Sequence, residues 1–248
     1  MTATAPTETA ATLSRTRPLP AARSMVAWVT LLMAFLIGLG VDLTSKRVAF
    51  ERVAGAPVAL DRAEILQDPT WSAPAHREVV VIPKLLSFKL VVNHGAVFGI
   101  GPGQRFFFMV FTLLAMVAGG VIFAFKTTAR DRLLHIAIGC VLAGAAGNLY
   151  DRWTYGVVRD FLNIFPGMSL PFGLNWPGGS PEVFPWVFNI ADMLLLFGIG
   201  VLVVRVGGAS DPPKPSVSSA PGGDLDPGGD RRLIDSTTRP TTLRQRDD

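Results

Sequence analysis

Charge is absent from three long stretches of the chain, Ser24 to Val41, Phe106 to Phe125 and Leu133 to Tyr150. A fourth, Val183 to Val204, carries Asp192 alone. Each stretch is of the length needed to cross a hydrocarbon core of ~30 Å as a helix. They predict four transmembrane helices over residues 24–42, 106–125, 133–150 and 186–206. The period changes within Glu78–Phe98, where Val79 to Ile82 and Leu85 to Val92 are β-branched and partly alternating. That segment predicts two or three short strands broken at Pro83. The fold class expected is an all-α membrane bundle of four transmembrane helices with a small extracytoplasmic β-sheet region. Phe165 to Pro185, dense in Gly and Pro, reads as irregular. Residues 1–23 and 207–248 lack apolar periodicity and are expected to be disordered tails around a membrane domain spanning 24–206.

Composition agrees with a membrane class. Of 248 residues 49% are hydrophobic and 17% charged, against roughly 25% charged in soluble domains. The first apolar run follows Arg15, Arg17 and Arg23 as a signal peptide would, yet it is longer than a typical h-region. No A-x-A-like site follows it before Asp42, so a retained anchor is expected. The net charge of +4 sits around the spans and in the tails, which suits membrane lipid headgroups and not nucleic acid. Lys126, Arg130 and Arg132 crowd the loop between the second and third spans, and Arg205 ends the fourth. By the positive-inside rule both termini are cytoplasmic, and residues 42–105 and 151–182 lie outside.

One cysteine, Cys140, excludes an intramolecular disulfide and a CxxC motif. His76, His94 and His135 are scattered, without H-E-x-x-H, so no metal site is expected.

The polar residues gather at one end of each span. Asp42 and Lys46 are four apart, the favourable order for a helical ion pair. An interfacial salt bridge with a snorkelling lysine explains them without catalysis. Ser45 and Lys46 are adjacent and point different ways on a helix, which argues against a nucleophile–base dyad. Asn93-x-Gly95 is a turn signal where an outer strand meets the membrane. Gly144 and Gly147 allow close approach of a neighbouring helix. Asp151 and Arg152 read equally well as an ordinary interfacial pair or as part of a site.

Asp160 lies between apolar residues, odd for a solvated loop, and Asn189 with Asp192 reads as a helix cap. A carboxylate at membrane depth costs roughly 2.5–3.5 kcal/mol on insertion scales, so Asp192 should face protein or a wet cavity. Two such acids suit an aspartyl protease, or a proton-coupled transporter or channel. A scaffold that merely caps four helices is a third reading.

Five motifs in order turn the balance. Asp42…Lys46, Asn93-x-Gly95-x-x-Phe98, Gly147-Asn148-x-x-Asp151-Arg152, Val158-x-Asp160-Phe161 and Phe188-Asn189-x-Ala191-Asp192 resemble the lipoprotein signal peptidases (signal peptidase II) over residues 25–205. The resemblance implies an aspartic endopeptidase of the bacterial cytoplasmic membrane, monomeric and without metal or cofactor. It would remove the signal peptide from diacylated prolipoproteins, cutting before the lipidated cysteine. Asp160 and Asp192 would be the catalytic pair, sharing one proton and meeting at a single water on the outer side. Asn93, Asn148, Arg152 and Asn189 would orient substrate and pair, with Gly95 in the same motif, while Asp42, Lys46 and Asp151 would support them. The spacing departs from the family at 51–77 and 166–185, where insertions are expected.

Overall fold

The computed structural model describes residues 18–95 and 105–207. Phe98, the rest of the two expected tails and residues 96–104 lie outside those described.

Ser24 starts α1 (Met25–Arg52) by accepting a hydrogen bond from the Ala27 N–H at 3.3 Å. The helix runs ten residues past the end of the apolar stretch expected to close the span at residue 42. The physical reason is local pairing: Lys46 meets Asp42 at 2.9 Å and Arg47 meets Glu51 at 2.7 Å, each four apart. After a short helix α2 (Arg62–Gln67), strands β1 (Val79–Ile82) and β2 (Leu86–Asn93) form a hairpin turning at Lys84, whose φ is 61°. Helices α3 (Arg105–Lys126) and α4 (Arg132–Thr154) follow, then β3 (Val158–Ile164), β4 (Val187–Phe188) and α5 (Ile190–Gly207). Among the described residues three helices are long and apolar enough to cross a membrane, Met25–Arg52, Phe106–Lys126 and Arg132–Thr154.

α4 is the hub, packed against α1, α3 and α5. Its contacts are made through glycines. A Cβ at Gly139 would come within 2.7 Å of the Leu31 carbonyl oxygen, and one at Gly144 would collide with the Ala191 carbonyl. Gly147 abuts the Asp42 carboxylate. Among apolar helices in lipid, such close backbone approach replaces the hydrophobic drive available in water.

The sheet is antiparallel in the order β1-β2-β3-β4. β3 and β4 were not expected from the sequence. β3 pairs with β2 so that Asp160 lies opposite Val91 and Val158 opposite Asn93. Phe50 of α1, Ile65 of α2, Leu90, Val92, Val157 and Phe161 form one core between the sheet and the end of α1.

The segment 51–77, where an insertion was expected, is tied down onto β2 and the residue after it. His76 Nε2 accepts from the Leu90 N–H at 2.9 Å, and a His94 ring nitrogen lies 2.8 Å from the Trp71 carbonyl. The segment 166–185 is not wholly irregular, since Ser169 and Glu182 form an antiparallel bridge.

At the opposite end of the bundle, residues 18–23 depart from the expected tail. Ala21 donates its N–H to Thr127 at 3.0 Å, Ala129 donates to Leu19 at 2.8 Å, and Ala21 is buried against Ala27, Leu31 and Phe123.

Candidate active site

The site grows from the start of α5. Asn189 precedes the first turn, and its Oδ1 accepts from the Asp192 N–H at 3.0 Å while Asp192 Oδ2 accepts from the Asn189 N–H at 3.1 Å. This reciprocal pair satisfies two N–H groups that a helix start leaves open. The cap expected from the sequence is therefore present, and it leaves the Asn189 side-chain amide nitrogen unused. That nitrogen donates to Asp160 Oδ1 at 2.6 Å and to Asn148 Oδ1 at 3.2 Å. One residue thus holds both carboxylates.

β3 brings Asp160 to this point. Neighbours on a strand face opposite ways, so Asp160 turns toward Asn189 while Arg159 turns toward Asp151. Asp160 is almost wholly buried, and the Asn93 side chain beside it favours its charged form. Asn93 Oδ1 closes a turn by accepting from the Gly95 N–H at 2.9 Å. Gly95 has φ +92° and faces the Phe108 ring, so a side chain there would be both strained and crowded. Burial, followed by the charge of Asp192, pushes the Asp160 carboxyl up to about 8.

Beneath the pair lies a second, balanced set of charges. Lys46 is fully buried, donating to Asp42 Oδ2 and Asn148 Oδ1 at 2.9 Å each and sitting 3.4 Å from Asp151. This corrects the snorkelling-lysine reading, because Asn148 and Asp151 of α4, with Asp42, hold the ammonium before it reaches water. The remaining Asp42 oxygen accepts the Ala191 N–H at 2.8 Å, so a carboxylate on α1 satisfies the start of α5. Asp151 pairs with Arg159 at 2.7 Å and with Lys46, while Arg152 turns elsewhere. The Arg152 guanidinium donates to the Asn148 carbonyl at 3.3 Å and lies 5.5 Å over the Phe108 ring, within the electrostatic reach of Asp160 and Asp192.

All ten residues singled out from the sequence, Asp42, Lys46, Asn93, Gly95, Asn148, Asp151, Arg152, Asp160, Asn189 and Asp192, lie in or against this network. Two that it uses were missed. Arg159 is buried, pairs with Asp151 and lies 4.6 Å over the Tyr155 ring; a charge beside Asp160 in an apolar stretch was the available signal. Phe108 carried none, being one aromatic among many in its span. A cavity of about 530 Å³ lined by Arg47, Glu51, Tyr150, Tyr155 and Arg159 contains neither Asp160 nor Asp192. Carboxylate geometry, not cavity size, locates the site.

A helical bundle with, among the described residues, three membrane-length apolar helices, closed at one end by a sheet and holding two carboxyl groups on one asparagine beside a buried charge cluster, defines a membrane protein with acid–base capacity in its interior. A family model described as signal peptidase (SPase) II matches residues 32–207. The lipoprotein signal peptidase of Desulfitobacterium hafniense is 33% identical over 127 residues, 51% of this chain and 72% of that protein. That of Symbiobacterium thermophilum is 35% identical over 131 residues, 53% of this chain and 76% of the relative. A bacterial membrane enzyme solved by the in meso method at 2.3 Å shares the fold, with TM-score 0.52 and 23% identity over 73% of this chain and 88% of the other. The chain belongs to the signal peptidase II family, and it is a protease.

Proposed function

We propose that the chain is an aspartic endopeptidase that removes the signal peptide from diacylglyceryl-modified prolipoproteins, cutting before the lipidated cysteine. The observation that carries this reading is that Asn189 contacts both acids, Asp160 through its side chain at 2.6 Å and Asp192 through its backbone at 3.1 Å.

Two carboxyl groups so placed share one proton at neutral pH. Asp160, buried and raised to about 8, keeps it; Asp192, half-buried, takes hydrogen bonds from Asn148 and Asn189 on its two oxygens. Asp192 takes a proton from water, the water oxygen attacks the scissile carbonyl, and Asp160 hydrogen-bonds the developing oxyanion. The C–N bond then breaks as the proton held by Asp192 passes to the leaving nitrogen of the lipidated cysteine. Asn93, Asn148 and Asn189 hold the pair, and Arg152 steadies the substrate backbone near Phe108. Asp42, Lys46, Asp151 and Arg159 fix the elements that carry them.

α5, with Arg205 in its last turn, is the fourth span. Both termini face the cytoplasm of a bacterial cell, and the sheet lies at the outer face of the cytoplasmic membrane, where signal helix and acyl chains of the substrate are in lipid. The catalytic domain covers residues 18–206 and acts as a monomer without a cofactor.

The decisive assay presents purified full-length protein with a diacylated precursor and with its unlipidated form. Cleavage of the first alone, lost in Asp160→Asn and in Asp192→Asn, supports the reading. Cleavage that survives either substitution ends the two-carboxylate mechanism.

A further inference from the structure

The two segments where insertions are expected differ in kind. Residues 51–77 carry seven charges, Glu51, Arg52, Asp61, Arg62, Glu64, Asp68 and Arg77, and the segment packs Ile65 into the core beside the sheet. Residues 166–185 carry one, Glu182 at the base of the loop, and Pro166 to Pro181 carry none.

The uncharged loop is nonetheless built. Leu170 donates its N–H to Pro181 at 2.7 Å and Val183 donates to Met168 at 2.7 Å. A tighter turn closes between Trp176 and Ser180 at 2.9 Å. An aromatic series ties it to the site: Trp176 packs edge-on against Trp186 at 4.9 Å, Trp186 against Phe184 at 5.1 Å, and Phe184 against Phe188 at 4.8 Å. Phe188 pairs with Leu162 on β3, two residues from Asp160, and adjoins Asn189.

At the loop's far end Phe172 is 97% exposed with φ +62°, a conformation unfavourable for a bulky side chain, and Leu174 is 58% exposed. A rigid hairpin that presents uncovered apolar side chains on a strained backbone is shaped to be covered from outside.

We propose that this loop is a membrane anchor, with Phe172 and Leu174 seated in the glycerol–acyl zone of the outer leaflet. The lack of charge over 166–181 suits that neutral zone and offers nothing to a charged partner. The loop ends at β4, directly before α5, the helix assigned above to the fourth span, so its surface continues that of a helix in lipid. Through the aromatic series the anchor sets the height of Asp160 and Asn189 against the bilayer. That fixes how far from the lipidated cysteine the peptide bond is presented. The inference rests on the outer-face topology proposed above.

Nitroxide labels test it on the full chain in phosphatidylcholine–phosphatidylglycerol nanodiscs without substrate. They are placed at Phe172→Cys, Leu174→Cys and, as a water-facing control on α2, Leu66→Cys, each with the buried Cys140 replaced by Ala. Labels at 172 and 174 are expected to be relaxed more by oxygen than by a water-soluble nickel chelate, with the reverse at 66. A label at 172 as open to the chelate as that at 66 overturns the anchor. Protection that arises only when a prolipoprotein is added also overturns it, making substrate the cover. Phe172→Ser with Leu174→Ser should raise KM for a bilayer-borne precursor at least fivefold with kcat nearly unchanged. Label depth is read without turnover, so failure of the peptidase reading and failure of the anchor are separate results.

Discussion

Lys46 donates to Asn148 Oδ1 at 2.9 Å across 102 positions of sequence, and that contact decides which way the Asn148 amide faces. An ammonium only donates, so the amide oxygen must meet Lys46 and the nitrogen must point away. It points to Asp192 Oδ1, at 2.9 Å. The buried lysine of α1 therefore orients a carboxylate on α5 through an amide on α4.

The two acids carry the first expectation. Asp160→Asn and Asp192→Asn should each lower kcat by roughly 10³-fold or more, the scale of losing a positioned acid or base, while the protein still folds and inserts. Single-turnover cleavage of a diacylated precursor measures it. Residual activity within tenfold of the parent would remove that residue from the chemistry.

The pH response has a defined sign. Asp160 is raised from an ordinary value of 3.8 to about 8, so its proton, and with it the hydrogen bond to the oxyanion, is lost as pH rises through about 8. An alkaline limb in kcat/KM is expected there. Stability follows the same sign, since the folded value exceeds the unfolded one: the contribution is complete below about 4 and declines as pH climbs toward 8. Asp160→Asn mimics the protonated carboxyl and should flatten that decline, with a Tm at pH 8 above that of the parent. Equal Tm–pH slopes for the two proteins would contradict the assignment.

Removing the buried cation should be costly to the fold itself. Lys46→Met leaves Asp42, without solvent exposure, with no cation and only the Ala191 N–H, while Asp151, equally buried, keeps Arg159 alone. Breaking such a cluster costs about 3–5 kcal/mol. Thermal unfolding in detergent should show a large fall in Tm, partly restored by adding Asp42→Asn, because the two changes share one interaction.

The elements were unevenly legible in the sequence, for physical reasons. α3 and α4 were readable as uncharged runs because lipid demands continuous apolarity. The last ten residues of α1 were not, since Asp42, Lys46, Arg47 and Glu51 look like a departure from the membrane until their pairing partners are known. β3 was hidden because Arg159 and Asp160 interrupt its apolar pattern. In the fold one polar side chain is buried on each side of the strand, Arg159 against Asp151 and Asp160 against Asn189, a solution that depends on residues far along the chain. The Asn189–Asp192 cap was legible, but its second use was not: a cap consumes the amide oxygen, and only the tertiary structure shows where the nitrogen goes.

That double use makes the start of α5 sensitive to a change on α4 that alters no polar side chain. A methyl group at Gly144 would collide with the Ala191 carbonyl oxygen and reach within 2.9 Å of Leu195 Cγ. Ala191 sits between Asn189 and Asp192, and its N–H is the one held by Asp42. Gly144→Ala must therefore push the first turn of α5 outward, and Asn189 cannot keep both carboxylates in reach. A misplacement near 1 Å in such a site can cost about 10²-fold, so kcat should fall at least tenfold. Gly40→Ala provides the control, being a glycine on α1 with open space around its added methyl. It should leave both activity and Tm near those of the parent. If Gly144→Ala cleaves as fast as Gly40→Ala, the close approach of α4 to α5 is not what positions Asp192.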